Sequence, residues 1–162
     1  MIVSIEWLKE HIDTTISLQN LESELTALGL ECSIKQKDLS FRDIIVGKVL
    51  SVQKVPDSDH LNLCNVDIGN HNVDIVCGAP NVSPNIFVPV AVPGATLDNG
   101  KFKIRKTKIR GQISNGMICS EKELGISESH DGIMIFKGDL IPGEDIVKLL
   151  IEDQDQCIEI DL

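Results

Sequence analysis

Apolar positions along this chain follow two rhythms. The first forty residues mix strand and helix spacing: IVSI reads as a strand, and Ser4 caps a short helix through Glu6–Glu10. Leu18, Leu21, Leu25 and Leu28 recur at helical spacing, with Ser17 as N-cap and Gly29 as the stop. LECSIKQK returns as a strand. So few strands cannot close a core alone, and this unit is expected to pack on something else.

From about Ser40 the pattern shortens into strands divided by turn residues. IIVGKVLSVQKV places Ile44, Val46, Leu50 and Val52 on one face, with Lys48 the exception. LNLCNVDI, ended by Gly69-Asn70, and NVDIVCG follow. IFVPVAV contains Pro89, which predicts an edge strand or a bulge. Asp98-Asn99-Gly100 is a turn signal, and GIMIF at 132–136 is a last strong strand candidate. Five or six short strands in roughly 95 residues predict a small barrel. Ser120-Glu121-Lys122-Glu123 matches a capping box and predicts a short helix before Gly125. A helix from about Glu144 buries Ile146, Leu149 and Leu150. The tail QCIEIDL alternates like a strand, and its expected partners lie in the N-terminal unit, which makes the barrel an insertion.

Composition changes the picture at one place. The formal net charge is −10, yet KFKIRKTKIR at 101–110 holds six cations and no acid. Elsewhere nine Lys or Arg face 25 Asp or Glu. A generic nucleic-acid binder is basic overall, so any binding here uses a local patch, which screening beyond about 8 Å permits. Phe102 and Ile104 share one face of the ribbon, opposite Lys101, Lys103 and Arg105. Continued alternation puts Ile109 on the wrong face, with Lys106, Lys108 and Arg110 beside Phe102. A bulge near Lys106-Thr107 returns Ile109 to the core and turns the cations outward. The ribbon equally fits a solvated edge strand kept from aggregating by its lysines. Ser114-Asn115-Gly116-Met117 follows, with groups suited to phosphate or ribose oxygens, or to an ordinary turn.

Other chemistry finds little footing. Cys32, Cys64, Cys77, Cys119 and Cys157 are widely spaced without a Cys-x-x-Cys pair, so neither a disulfide framework nor a zinc site is expected. There is no phosphate loop, no Gly-x-Gly-x-x-Gly and no metal-binding His pair. Asp57, Asp59 and His60, like His130-Asp131, read as turn residues rather than acid–base groups. The opening MIVSIEWLKEHID has acids at Glu6 and Glu10 and no long apolar run, which predicts a cytoplasmic protein without a signal peptide. With no Tyr, one Trp, and Phe102 and Phe136 read as core, base stacking is disfavoured. Backbone and shape recognition of structured RNA fits better.

The order VGKVLSVQKVPDSDHLNLCNVDIG, IVCGAPNV, VPVAVPGATL, KIRKTKIRGQISNGMICSEKELG and HDGIMIF resembles the N-terminal part of the bacterial phenylalanyl-tRNA synthetase beta subunit family. MIVSIEWLKEHI and LTALGLE resemble that family's opening segment, and IEIDL the strand where its first domain resumes. The resemblance implies a fragment of a larger subunit of α+β class: an OB-type barrel (40–150) inserted in an incomplete α/β domain (1–39, with a returning strand at 151–162). It implies tRNA as partner, with Ser114, Gly116 and Met117 in the tRNA-binding region and the ribbon cations beside them. The expectation built on it is that Lys101, Lys103, Arg105, Lys106, Lys108 and Arg110 meet phosphates while Ser114, Asn115 and Met117 line the adjoining surface. The family's first loop carries a cation where this chain has His60. Aminoacylation belongs to the alpha subunit and editing to later parts of beta, so ATP, Mg2+ and phenylalanine belong to the assembled synthetase and no catalytic residue is expected here. Two other functions fit: a freestanding tRNA-binding protein, or a structural module that positions synthetase subunits.

Overall fold

A computed structural model describes residues 1–13, 15–35, 39–152 and 156–161. In chain order the elements begin β1 (Ile2–Ser4), α1 (Ile5–His11), α2 (Leu18–Ala27), β2 (Glu31–Lys35), β3 (Arg42–Lys54), β4 (Asn62–Asp67) and β5 (Asn72–Cys77). They continue β6 (Phe87–Leu97), β7 (Phe102–Lys103), β8 (Thr107–Ile109), β9 (Gln112–Ser114), β10 (Met117–Ile118), α3 (Ile146–Glu152) and β11 (Cys157–Asp161). The chain divides into two compact units, residues 1–38 with 151–162, and residues 39–150. No helix among the described residues is long and apolar enough to cross a membrane.

In the first unit, β11 lies between β1 and β2, antiparallel to both. Ser4 and Ser17 cap α1 and α2 by accepting from the amides of Trp7 (3.1 Å) and Asn20 (3.3 Å). Ile5, Ile158 and Ile160 form the core, covered by Leu8, Leu21 and Leu25. Lys35 and Glu159 pair at 2.8 Å across β2 and β11, which raises the lysine pKa and lowers that of the carboxylate.

The second unit is built on the strand order β10-β6-β3-β4-β5, with β7 added to β6. β9 and β10 in turn contact β5, which brings the sheet round into a partly open, five-stranded barrel of OB type. Alternation along β3 and β6 sends side chains to two cores. Val49, Val88 and Val90 point into the barrel with Cys64, Val66 and Ile75. Ile44, Val46, Phe87 and Ala91 point the other way, to a second core completed by Phe41, Leu97, Ile104, Leu124, Ile146 and Leu150.

Several expectations are corrected. Leu50 was expected on the core face but is 40% exposed, because the β3–β4 register shifts between Val49 and Ser51. That bulge rotates the strand by one position. Pro89 sits in an interior strand, not at an edge or bulge, paired to Val46 of β3. The ladder tolerates it because the Cys119 carbonyl, the natural acceptor for a donor at 89, takes the Met134 amide instead (3.0 Å). Residues 132–136 form no ladder, only a single bridge of Phe136 to Phe87. The capping box forms, with Glu123 accepting from the Ser120 amide (2.6 Å) and hydroxyl (2.9 Å), yet only turns follow it. Gly125, at φ +69, ends the helical path too early for propagation.

A Cβ on Gly47 would lie 2.5 Å from Val90 and 2.7 Å from Val66, inside the barrel. Gly47→Ala is therefore expected to destabilise the chain by about 1–3 kcal/mol, seen as a drop of several degrees in thermal midpoint; an unchanged midpoint would contradict this packing. Burial pushes the thiols of Cys64 and Cys119 up to about 12 from 9.0, and that of Cys77 upward. At pH 8 the native chain should leave these three thiols unreacted with a disulfide reagent, releasing them on unfolding. Below pH 9 the protonated thiols favour the folded state, and that advantage is lost between pH 9 and about 12.

Candidate nucleic-acid interface

Beyond the Ile44–Ala91 pair the register of β3 on β6 shifts, resuming at Arg42 opposite Thr96, and the ribbon pairs with this second half of β6. Leu97 faces Phe102 and Thr96 faces Lys103. The pairing continues through Gly94 N–H to the Ile104 carbonyl (2.9 Å) and Ile104 N–H to the Ala95 carbonyl (2.8 Å). The turn at Asp98–Gly100 takes positive φ at all three residues, which suits Asn and Gly and fixes where the ribbon begins. Ile104 is 5% exposed and anchors this half to the second core.

Arg105 and Lys106 lie between the ladders. Thr107 to Ser114 then form a hairpin, β8 on β9, whose two-residue turn is Arg110-Gly111, both at positive φ (50° and 80°). That is the geometry of a type I′ turn, which matches the twist of the flanking strands. The bulge expected at Lys106-Thr107 is replaced by this break and hairpin. Ile109 therefore does not return to the core; it is 37% exposed.

All six cations of the ribbon are exposed. Lys101 pairs with Asp98 at 3.6 Å. Among the described residues, no carboxylate lies within ion-pair distance of Lys103, Arg105, Lys106, Lys108 or Arg110. Five positive charges without acidic partners thus occupy one stretch of eight residues on an acidic protein.

The residues after the hairpin join it to the barrel. Ser114 is buried; its hydroxyl accepts from the Val76 amide and donates to the Gly116 carbonyl, each at 3.0 Å. Its polar atom thus serves the fold, linking β5 to the turn. The Asn115 amide donates to the Asp74 carbonyl at 2.8 Å, and Asn115 lines an open groove of about 700 Å³ with Val92, Pro93 and His71. Gly116 has φ +137, and a Cβ there would stand 2.5 Å from the Ala91 carbonyl oxygen, so this position needs glycine. Met117 faces Ala91 and lines a second groove of about 450 Å³ that also contains Phe102.

Phe102, like Leu50 and Ile109, is a residue that the periodicity misplaced. Expected in the core, it is 55% exposed. It stands first after the turn, where the strand has no preceding residue to cover it; the adjacency of Asp98-Asn99-Gly100 is the signal that marks it. Phe136 is half-buried against the second core. In the loop after β3, His60 is exposed, and the loop is closed by Val55 N–H to the Leu61 carbonyl (3.0 Å) and Leu61 N–H to Ser58 Oγ (3.1 Å). Asp57 occupies a positive-φ turn position there (φ 61). His130 is exposed and its ring Nδ1 lies 3.3 Å from the carbonyl of Glu128.

Residues 44–145 match the family model described as a putative tRNA binding domain. The chain is 47% identical over 152 residues to the phenylalanine–tRNA ligase beta subunit of Oleidesulfovibrio alaskensis, covering 93% of this chain and 19% of that protein. It is 41% identical over 164 residues to the corresponding subunit of Coxiella burnetii, covering 100% of this chain and 20% of that one. The chain therefore spans about one fifth of the length of these relatives. A solved structure of a MetRS related protein from Pyrococcus horikoshii aligns at 20% identity with a TM-score of 0.47, over 62% of this chain and 84% of that one.

Ser114→Ala leaves the Val76 amide without its acceptor inside the protein. It should cost about 1–3 kcal/mol of stability and speed amide exchange at Val76 ahead of the rest of β5. Unchanged exchange at Val76 would remove Ser114 from its role as the link.

Proposed function

Because the chain belongs to the family of the putative tRNA binding domain, we propose that its barrel holds tRNA by the phosphate backbone, along the ribbon from Lys101 to Arg110. The observation that carries this reading is the set of five cations without acidic partners among the described residues, held against the barrel by Ile104 and the Ser114 link. Lysine and arginine side chains displace counterions from a polyanion, and that release supplies affinity without reading sequence. Lys101 joins once its pairing with Asp98 yields to phosphate. Met117 borders the groove that Phe102 of the ribbon also lines, Asn115 borders the other groove, and both adjoin the bound RNA while Ser114 holds their loop in place.

The role proposed for the chain is that of the tRNA-binding region of a cytoplasmic phenylalanine–tRNA ligase beta subunit, resting on its identity to the relatives named above. There it supports aminoacylation of tRNA(Phe) by an enzyme assembled with an alpha subunit, to which ATP and Mg2+ belong. The boundaries at 1–39, 40–150 and 151–162 divide that role: the barrel meets RNA, and the flanking segments form the module that carries it. With a net charge of −10, binding by the chain alone is weak, and further RNA contacts in the enzyme add to it by multivalency.

Titration of labelled tRNA with this chain at about 50 and 200 mM salt tests the reading. If three or four cations engage, log affinity falls against log salt with a slope of about −2 to −4. Replacing Lys103, Lys106 and Lys108 by Glu together should weaken binding at the lower salt by at least about tenfold and flatten the slope. Equal, salt-sensitive binding by the folded variant would move the contact elsewhere. Salt-insensitive association with the other synthetase parts and no RNA binding would favour a structural module.

A further inference from the structure

The ribbon carries an aromatic ring as well as charge. Phe102 is 55% exposed in a protein with four phenylalanines, one tryptophan and no tyrosine. Its strand neighbours on both sides, Lys101 and Lys103, are exposed cations. The backbone beneath it is fixed: Phe102 pairs with Leu97, which is 3% exposed in the second core, and Ile104 two residues on is buried in the same core. The ring therefore stands at the rim of a packed apolar surface with much of its area open to water.

Phe102 and Met117 line one open groove of about 450 Å³ with Leu97, Ser40 and Lys122. The two acids there are already engaged. Asp98 pairs with Lys101 (3.6 Å), and Glu123 accepts from the Ser120 amide and hydroxyl (2.6 and 2.9 Å). What the groove offers a ligand is an aromatic ring, a thioether, an apolar wall and a lysine. Those groups match a nucleobase attached to a phosphate: the ring stacks on the π-face, the polarizable sulfur tolerates any base, and cations meet the backbone.

We propose that Phe102 is a stacking platform for one unpaired base of the bound RNA, with Met117 lining the same seat and the ribbon cations holding the flanking phosphates. This inference rests on the proposed tRNA-binding role and adds to it a contact that does not depend on salt. Structured RNA exposes unstacked bases in loops and ends, and those are the elements that aromatic side chains capture.

The two kinds of contact have different thermodynamic signatures. Removing a phosphate-binding cation reduces the salt slope, whereas removing a stacking ring lowers affinity equally at every salt concentration. The 162-residue chain and its Phe102→Ala, Phe102→Leu and Phe102→Trp variants are titrated with a transcribed, labelled tRNA(Phe) at several salt concentrations, after their thermal midpoints are matched. The expected result is about tenfold weaker binding for Ala and Leu at each salt with an unchanged slope. Trp should bind at least as well as the parent, and its emission should change on adding RNA beyond any change at Trp7. Leu binding like the parent, or Trp losing as much as Leu, overturns the stacking role while leaving the cation contacts standing. A parent chain that binds no tRNA overturns both readings, and that outcome is visible without any variant.

Discussion

Both faces of β3 and β6 are apolar, and neither can be left to water. Val49, Val88 and Val90 fill the barrel on one side, whereas Ile44, Val46, Phe87 and Ala91 demand a cover on the other. Each buried aliphatic side chain is worth about 1.5–3 kcal/mol, so the second face is as strong a constraint as the first. The chain after β6 meets it by folding back: Ile104, Leu124, Ile146 and Leu150 all serve that outer core. The position of the ribbon follows, since Ile104 must reach the core and its charged neighbours must not.

The ribbon's charge has meaning because of what surrounds it. Acids outnumber bases along the chain, yet the segment between Asp98 and Glu121 holds none. Exposed charges are screened within about 8 Å at physiological salt, so an approaching polyanion senses the local cations before the distant acids. Five of them have no carboxylate in ion-pair range among the described residues. The acidic remainder sets a repulsive background, against which the ribbon is the locally attractive stretch for a polyanion. Gly116, which lets the backbone pass the Ala91 carbonyl, and Ser114, which bridges β5 to the turn, hold the hairpin's exit against the barrel.

Much of the architecture was legible because its determinants are local. Ser4 and Ser17 cap their helices, Gly29 follows the second, and the strands of the barrel announce themselves by alternation between turn residues. Three of the errors share a cause: each depended on a partner elsewhere in the chain. Leu50 is turned out by a bulge set by pairing with β4. Pro89 is admitted to an interior strand because Met134 supplies the missing donor. Residues 132–136 look like a strand but find only one bridge. In the candidate interface, the cations stood out from composition alone, whereas the exposure of Phe102 did not. Periodicity assigns a face but cannot tell whether that face is covered at a strand's end. The Arg110-Gly111 turn was missed because arginine is an uncommon choice at positive φ.

The central claim is that RNA meets this chain along residues 101–117. Backbone amide resonances of the isotopically labelled chain, followed as unlabelled tRNA is added, test it directly. The account predicts shifts and line broadening concentrated in Lys101–Met117 and in the strand residues they touch, reversed by raising the salt. Perturbations confined to the loop after β3, or to residues 1–35, with the ribbon resonances unmoved, would contradict it.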